Sequence, residues 1–276
     1  MGKKVLILGE SGTGKSAAMR NFNKDEILII NVAGKDLPFK EPKGGFEKIN
    51  TDNYREIKKA IQLTQKKVII IDDAQYLMAN EFMRRATEKG FDKFTEIAQN
   101  FWDLQRAIDA LPNDVIVYEL SHIDRDDKGN EKAKTIGKLL DEKITLEGMF
   151  SIVLKTYVKD GAYKFATQNN GSDTTKSPIG LFYDKLIDND LKYVDTMIRN
   201  YYDLQPVKEA PTMPTPAPEP EPVKEKTFAE KVADFKNNLP NATLPTEEEE
   251  VIEEAMVGIT QPEIPVRRRR RIPNEQ

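Results

Sequence analysis

From the amino terminus, the chain alternates short, uninterrupted apolar runs with longer stretches in which apolar residues return every three or four positions. Lys4-Val5-Leu6-Ile7-Leu8, Glu26-Ile27-Leu28-Ile29-Ile30-Asn31 and Lys67-Val68-Ile69-Ile70-Ile71-Asp72-Asp73 are of the first kind. A run that is apolar at every position and rich in β-branched residues marks a strand buried on both faces, as in a parallel sheet covered by helices. Asp114 to Leu120 reads as a further strand. Among the second kind, Tyr54, Ile57 and Ile61 share one face of a helix opened by Thr51 or Asp52. Phe94, Ile97, Phe101, Leu104, Ile108 and Leu111 stripe a long amphipathic helix over 91–111, which Pro112-Asn113 stops. Trp102 lies beside that stripe and is expected in the core. Two apolar segments, 148–156 and 162–167, flank Lys159-Asp160-Gly161, a hairpin signal, and a closing helix is expected near 191–202. This order predicts an α/β fold with a doubly wound, mostly parallel sheet, in which ligands gather at the carboxyl ends of the strands.

The pattern stops near residue 205. Twelve of the sixteen prolines lie at or beyond Pro206, so the reading divides the chain into a folded body, 1–205, and a disordered tail, 206–276. The tail opens with a proline- and glutamate-rich linker over 206–226. It then carries a short amphipathic helix, 227–239, with a capping box at Thr227-Phe228-Ala229-Glu230 and a stripe of Phe228, Val232, Phe235 and Leu239. It ends in an acidic run and the cluster Arg267 to Arg271. The net charge of −4 excludes a whole-face basic footprint, so any nucleic-acid contact is expected to be local. The absence of cysteine excludes disulfides and thiolate metal sites. The first strand begins almost at once, leaving no room for a signal peptide, and no apolar run approaches the roughly 20 residues of a membrane span. A soluble, cytoplasmic protein with no membrane contact is expected.

Chemistry enters at Gly9-Glu10-Ser11-Gly12-Thr13-Gly14-Lys15-Ser16, a complete GxxxxGK[ST] phosphate-binding loop directly after a predicted strand. Its glycines let successive backbone N–H groups face one anion. The segment Lys15 to Phe22, with Ala17 next to the loop, is expected to open a helix whose positive end faces the same phosphates. ATP and Mg2+ are the predicted ligands, with Lys15 on the β and γ phosphates and the Ser16 hydroxyl on the metal. Asp72, at the end of an apolar strand, is the second predicted metal-site residue. Asp73 is the candidate for orienting or activating the attacking water, with a helix cap for Ala74-Gln75-Tyr76 as the alternative. His122, the only histidine, stands at the tip of the strand after Asp73 and is a candidate sensor of the γ phosphate; a structural histidine is the alternative. The loop expected after it, with Arg125, Lys128, Lys132 and Lys134, is the candidate DNA contact. Lys176 is the candidate for completing a neighbouring copy's site, as an arginine finger does.

GESGTGKS at 9–16, VIIIDDAQYL at 68–77, YELSH at 118–122, KTIGKLLDEKITLEGMF at 134–150 and ATQNNGSDTTKSPIGLF at 166–182 together resemble bacteriophage ATP-binding proteins of the RecA-like, AAA-type P-loop class. Some of these are single-strand annealing or recombination ATPases. The resemblance implies ATP hydrolysis coupled to single-stranded DNA in phage recombination or replication, in a homo-oligomer on the strand, within the host cytoplasm. A phage single-strand binding protein with an acidic tip is the partner it suggests for the arginine cluster. The chain departs from the class in having no RecA-type catalytic glutamate after its second strand. VIIIDDAQYL also looks like the corresponding strand of replication initiators, so an AAA+ helicase loader or remodelling ATPase is the alternative. An arginine-rich lid helix after the core, which that alternative expects, is not evident.

Overall fold

The computed structural model describes residues 1–204; the expected tail helix at 227–239 and the cluster Arg267 to Arg271 lie outside them. The apolar runs become β1 (Lys3–Gly9), β2 (Ile27–Asn31), β4 (Val68–Asp72) and β5 (Ile116–Arg125). Three strands absent from the sequence reading join them: β3 (Glu47–Asn50), β6 (Glu131–Ala133) and β9 (Leu186–Asp188). The predicted hairpin is β7 (Ile152–Lys159) with β8 (Ala162–Ala166), turned through Asp160 and Gly161, both at positive φ. The sheet order is β3-β2-β4-β5-β1-β7-β8-β9, with β6 paired to β5. Strands from β3 to β7 run parallel, and the β7-β8-β9 end is antiparallel. This is the expected α/β, mostly parallel architecture.

The uninterrupted apolar runs follow from burial on both sides. Leu6, Leu28, Ile69, Ile71 and Val117 face one way and pack on α1 (Tyr54–Leu63), α2 (Gln75–Arg84) and α3 (Asp92–Asp109) through Ile57, Leu77, Phe101 and Leu104. Val5, Ile7, Ile27, Ile29, Ile70 and Tyr118 face the other way, onto α4 (Leu191–Tyr201) through Leu191, Val194 and Ile198. Each such side chain contributes roughly 1.5–3 kcal/mol on burial, so the two layers fix which strand faces which helices. Among the described residues no helix is long and apolar enough to cross a membrane.

Local details differ from expectation. The cap of α1 is Asn53, whose side chain accepts from Arg55 N–H; Thr51 instead accepts from Asn53 N–H and pairs with Glu56. Trp102 is not core: it is 39% exposed, with the Arg106 guanidinium 5.7 Å from its ring centroid. Its place on α3 lies beside the buried stripe rather than in it. The helix expected over Lys15 to Phe22 is a single 3-10 turn, Ser16–Met19. Asn21 and Asn23 favour turns over helix, and the Asn23 N–H is taken by the Glu26 carboxylate.

Candidate nucleotide site

The phosphate loop leaves β1 at Gly9 and bends through Gly12 and Gly14, which have φ of 76° and 94°. At Gly9 a side chain is impossible, since a Cβ would stand 1.9 Å from Thr156 Oγ1 on β7. Thr13 ties the loop to the sheet, its hydroxyl 2.6 Å from that of Thr156 and donating to Glu10 O at 2.7 Å. Lys15 is buried and curls over the loop, its Nζ donating to Gly9 O at 3.0 Å and Glu10 O at 2.8 Å. Burial pulls its pKa below the usual lysine value, with Asp73 and Asp72 pulling the other way.

The sheet order sets the rest of the site. Because β5 lies between β1 and β4, Asp72 is delivered one strand beyond the loop and His122 into the space between. Ser16 Oγ donates to Asp72 Oδ1 at 2.8 Å. Burial pushes Asp72 up to about 6, against the stabilising Ser16 hydrogen bond and helped by the neighbouring Asp73 charge. A carboxylate held uncomfortably in this way gains most from a nearby cation. The hydroxyl and carboxylate oxygens are the hard donors that Mg2+ takes, and among the described residues no cluster of three or more His, Cys, Asp or Glu forms a metal cage. A magnesium ion here would therefore share its shell with phosphate and water, its usual manner.

Asp73 adopts φ of 60°, a left-handed conformation that Asp tolerates better than most residues. The turn swings the chain from β4 into α2 and sends the carboxylate into the cleft. There Oδ2 accepts from Lys35 Nζ at 3.0 Å and Oδ1 lies 3.4 Å from His122 Nε2. The helix-cap alternative fails: the N-cap position of α2 is Ala74, and the helix has no side-chain cap. The hydrogen bond to Asp73 raises the Lys35 pKa. Burial, then the charge of Lys15, lowers that of His122, partly offset by Asp73. His122 is fixed by its own backbone N–H, donated to Gln75 Oε1 at 3.2 Å, and by the edge of Tyr76. Ser11, Gly12, Gly14, Lys15, Ser16 and Ala17 form one side of a cleft of about 390 Å³, with Lys35, Asp36, Pro38, Asp73, His122 and Tyr163 around the remainder.

The candidate DNA residues fall differently from expectation. No free loop follows His122: β5 continues to Arg125 and folds back as β6, a hairpin joined through Ile123–Ala133, Asp124–Lys132 and Arg125–Glu131. Alternating charges on these short strands hid them from a search for apolar runs. Arg125 reaches Glu10 of the phosphate loop at 2.7 Å and Glu131 at 3.0 Å, while Lys132 is held by Asp141 at 2.6 Å. Lys128 and Lys134 are exposed. Lys176 is exposed, and its backbone bridges Val153 near the amino end of β7 rather than lining the cleft.

Sequence reasoning missed Lys35 and Tyr163, which line the cleft, and Asn189, which is buried beside Gly14 rather than in the cleft lining. Lys35 had a positional signal, since the loop after a parallel strand such as β2 opens on the ligand side of the sheet. The other two lie on and after short strands with no motif.

No curated protein matches the chain. The AAA domain family model matches residues 1–179, well over half of the sequence. The loop, the Ser16–Asp72 pair and the cleft around them thus lie inside a nucleotide-dependent ATPase domain, and the chain belongs to the AAA domain family.

Proposed function

We propose that the protein hydrolyses ATP in response to single-stranded DNA, as a RecA-like phage recombination or replication ATPase would, and that β5 is the coupling element. One observation carries this reading. β5 passes His122, beside Asp73, and continues without a break to Arg125, which is paired with Glu10 of the phosphate loop. One strand therefore meets the cleft at His122 and the phosphate loop at Glu10, and ends in a surface hairpin.

In this reading Lys15 exchanges the carbonyls of Gly9 and Glu10 for the β and γ phosphates. Ser16 and Asp72 would hold a magnesium ion, which would supply positive charge to offset that of the phosphates. Asp73 orients the attacking water and takes its proton, and Lys35 keeps that carboxylate aimed until phosphate competes for the ammonium. His122, whose pKa burial and the charge of Lys15 lower, hydrogen-bonds the γ phosphate and moves β5 when that group leaves. Lys128 and Lys134 meet the DNA backbone, whereas Arg125 and Lys132 do so only by leaving their carboxylates. Lys176, exposed at the β7 edge, is offered to a neighbouring copy in a homo-oligomer.

ATP turnover measured with and without single-stranded DNA tests the proposal. Stimulation that disappears in a Lys128→Ala/Lys134→Ala variant is the expected result. Turnover indifferent to DNA, in a protein that does not retain DNA, removes this reading. A second reading, an AAA+ helicase loader or remodelling ATPase, draws on the family match itself; it expects stimulation by a protein partner.

A further inference from the structure

Lys15, Ser16 and Asp72 account for one side of the phosphate loop; the side facing the antiparallel part of the sheet is not accounted for. There Gly14 lies against two side chains from the antiparallel part of the sheet. A Cβ on Gly14 would stand 2.9 Å from Tyr163 Cδ1 and 3.1 and 3.2 Å from the amide oxygen and nitrogen of Asn189. Tyr163, on β8, is 48% exposed and lines the cleft. Asn189, between β9 and α4, is 2% exposed, and neither its Oδ1 nor its Nδ2 has a hydrogen-bond partner. An enclosed amide with both polar atoms unmet is costly.

The backbone around Asn189 is tightly fixed. Its N–H donates to Tyr163 O at 3.3 Å, and its carbonyl accepts from Arg20 at 2.7 Å, just after the phosphate loop. The next residue, Asp190, caps α4 through Lys192 N–H and Tyr193 N–H. The amide is thus held at a set distance from the loop while its own donor and acceptor stay unused, the arrangement of a recognition group supported by its surroundings.

We propose that Tyr163 and Asn189 form the base subsite of this cleft, and that the base is adenine. Asn189 is enclosed and does not line the cleft as it stands; base binding therefore requires the Tyr163 ring to turn aside, after which the ring stacks on the base and the uncovered amide reads the base edge with one donor and one acceptor. Adenine presents the complementary pair on both sides of its 6-amino group, whereas guanine presents it on one side only. The inference rests on the nucleotide reading of the same cleft and adds to it the groups that select the base.

Isothermal titration of the full chain with Mg-ATP, Mg-GTP and inorganic tripolyphosphate tests it. The unaltered protein is expected to prefer ATP over GTP by about tenfold or more. Tyr163→Ala should weaken ATP about tenfold and Tyr163→Phe hardly at all; Asn189→Ala should bring ATP and GTP within about twofold of each other. Tripolyphosphate affinity should be the same in all four proteins. Purine riboside triphosphate, which lacks the 6-amino group, needs no variant and should bind the unaltered protein about tenfold more weakly than ATP. Equal affinity for ATP, GTP and the riboside triphosphate overturns the proposal, as does an ATP preference that survives Asn189→Ala. Failure of the underlying nucleotide reading looks different: ATP and tripolyphosphate would both bind Lys15→Ala as they bind the parent, or bind neither.

Discussion

Two sets of buried charges, at opposite ends of the same strands, are built on different principles. Near the amino ends, Arg199 on α4 is 3% exposed and spends its guanidinium on Asp195 at 2.6 Å, Asp114 O at 3.0 Å and Lys67 O at 3.1 Å. Tyr118 completes the group by donating to Asp195 at 3.0 Å. At the carboxyl ends, Lys15 rests on carbonyls of its own loop, Asp73 is shared between Lys35 and His122 in a left-handed conformation, and Asp72 is displaced to about 6. The first group is met within the fold: Asp195 shares α4 with Arg199, Tyr118 comes from β5, and the two carbonyls belong to the residues just before β4 and β5. The second has partners a phosphate or a cation could replace one for one. Buried charge thus marks structure at one end and chemistry at the other, and the distinguishing feature is whether the partners can be exchanged.

The largest expected effect follows from breaking the first group. Arg199→Ala leaves the Asp195 carboxylate and two carbonyls unmet and should cost about 3–5 kcal/mol, read as a lower urea midpoint. The fraction that remains folded should bind ATP as the parent does; lost binding in that fraction would mean the two ends are not separable. Lys15→Ala should do the converse. ATP affinity falls about 100-fold or more, close to 3 kcal/mol, while the melting temperature stays level or rises, because the lost lysine was held against desolvation. A melting temperature that falls by more than a few degrees would make Lys15 a structural residue.

The sequence disclosed these two regions unequally. β1, β2, β4 and β5 were legible because burial on both faces demands apolar residues at every position, and α3 because one-sided burial demands a stripe. The loop and Asp72 were legible because they stand where such strands end. β3, β6 and β9 were not: they are edge or hairpin strands of three or four residues, and Glu47, Lys48, Glu131, Lys132 and Asp188 face water or pair with charges on other segments. The Arg199 group left only a partial trace: Asp195 and Arg199 are an i,i+4 pair within α4, but Tyr118 and the carbonyls of Lys67 and Asp114 join them only through packing of α4 on the sheet. Lys35 reaches Asp73 across 38 positions of sequence, a distance that only the β2–β4 pairing closes. Periodicity reports what each element buries. It carries no record of which charged side chains the sheet order later brings together.

Glu119 tests whether an unexchangeable partner can still titrate. It is fully buried on β5, with Gln105 Nε2 donating to its two oxygens at 2.7 and 2.9 Å and Gln105 Oε1 left unpartnered. Burial pushes its pKa from 4.5 up to about 7, against the Gln105 hydrogen bond and Lys4. Between those values the folded chain keeps a proton that the unfolded chain has released, so stability falls as pH rises from about 4.5 to 7 and levels off above. The loss is about 3 kcal/mol. A protonated Glu119 can also donate to Gln105 Oε1, which accounts for that orphan oxygen. Glu119→Gln supplies the same donor at every pH. Denaturation from pH 5 to 8 should show a flatter profile in the variant and, at pH 8, a stability gain of about 2 kcal/mol. Parallel profiles for variant and parent would place the titration elsewhere.

The smallest effect concerns strain at Asp73. Holding a residue with a Cβ at φ of 60° costs of order 1 kcal/mol, less for Asp than for most, and glycine avoids it. Asp73→Gly gives up the pair with Lys35, but that lysine is largely exposed and such pairs add little. It also gives up some stability through the freer unfolded chain. The net should be a stability change within about 1 kcal/mol of zero, favouring the variant, while ATP turnover falls roughly 100-fold or more with the carboxylate gone. Asp73→Asn separates the two contributions: it tolerates the same turn and keeps the same shape, so stability should match the parent and turnover should match the glycine variant. If Asp73→Asn kept full turnover, the strained turn would serve the shape of the cleft and the carboxylate would have no part in activating water.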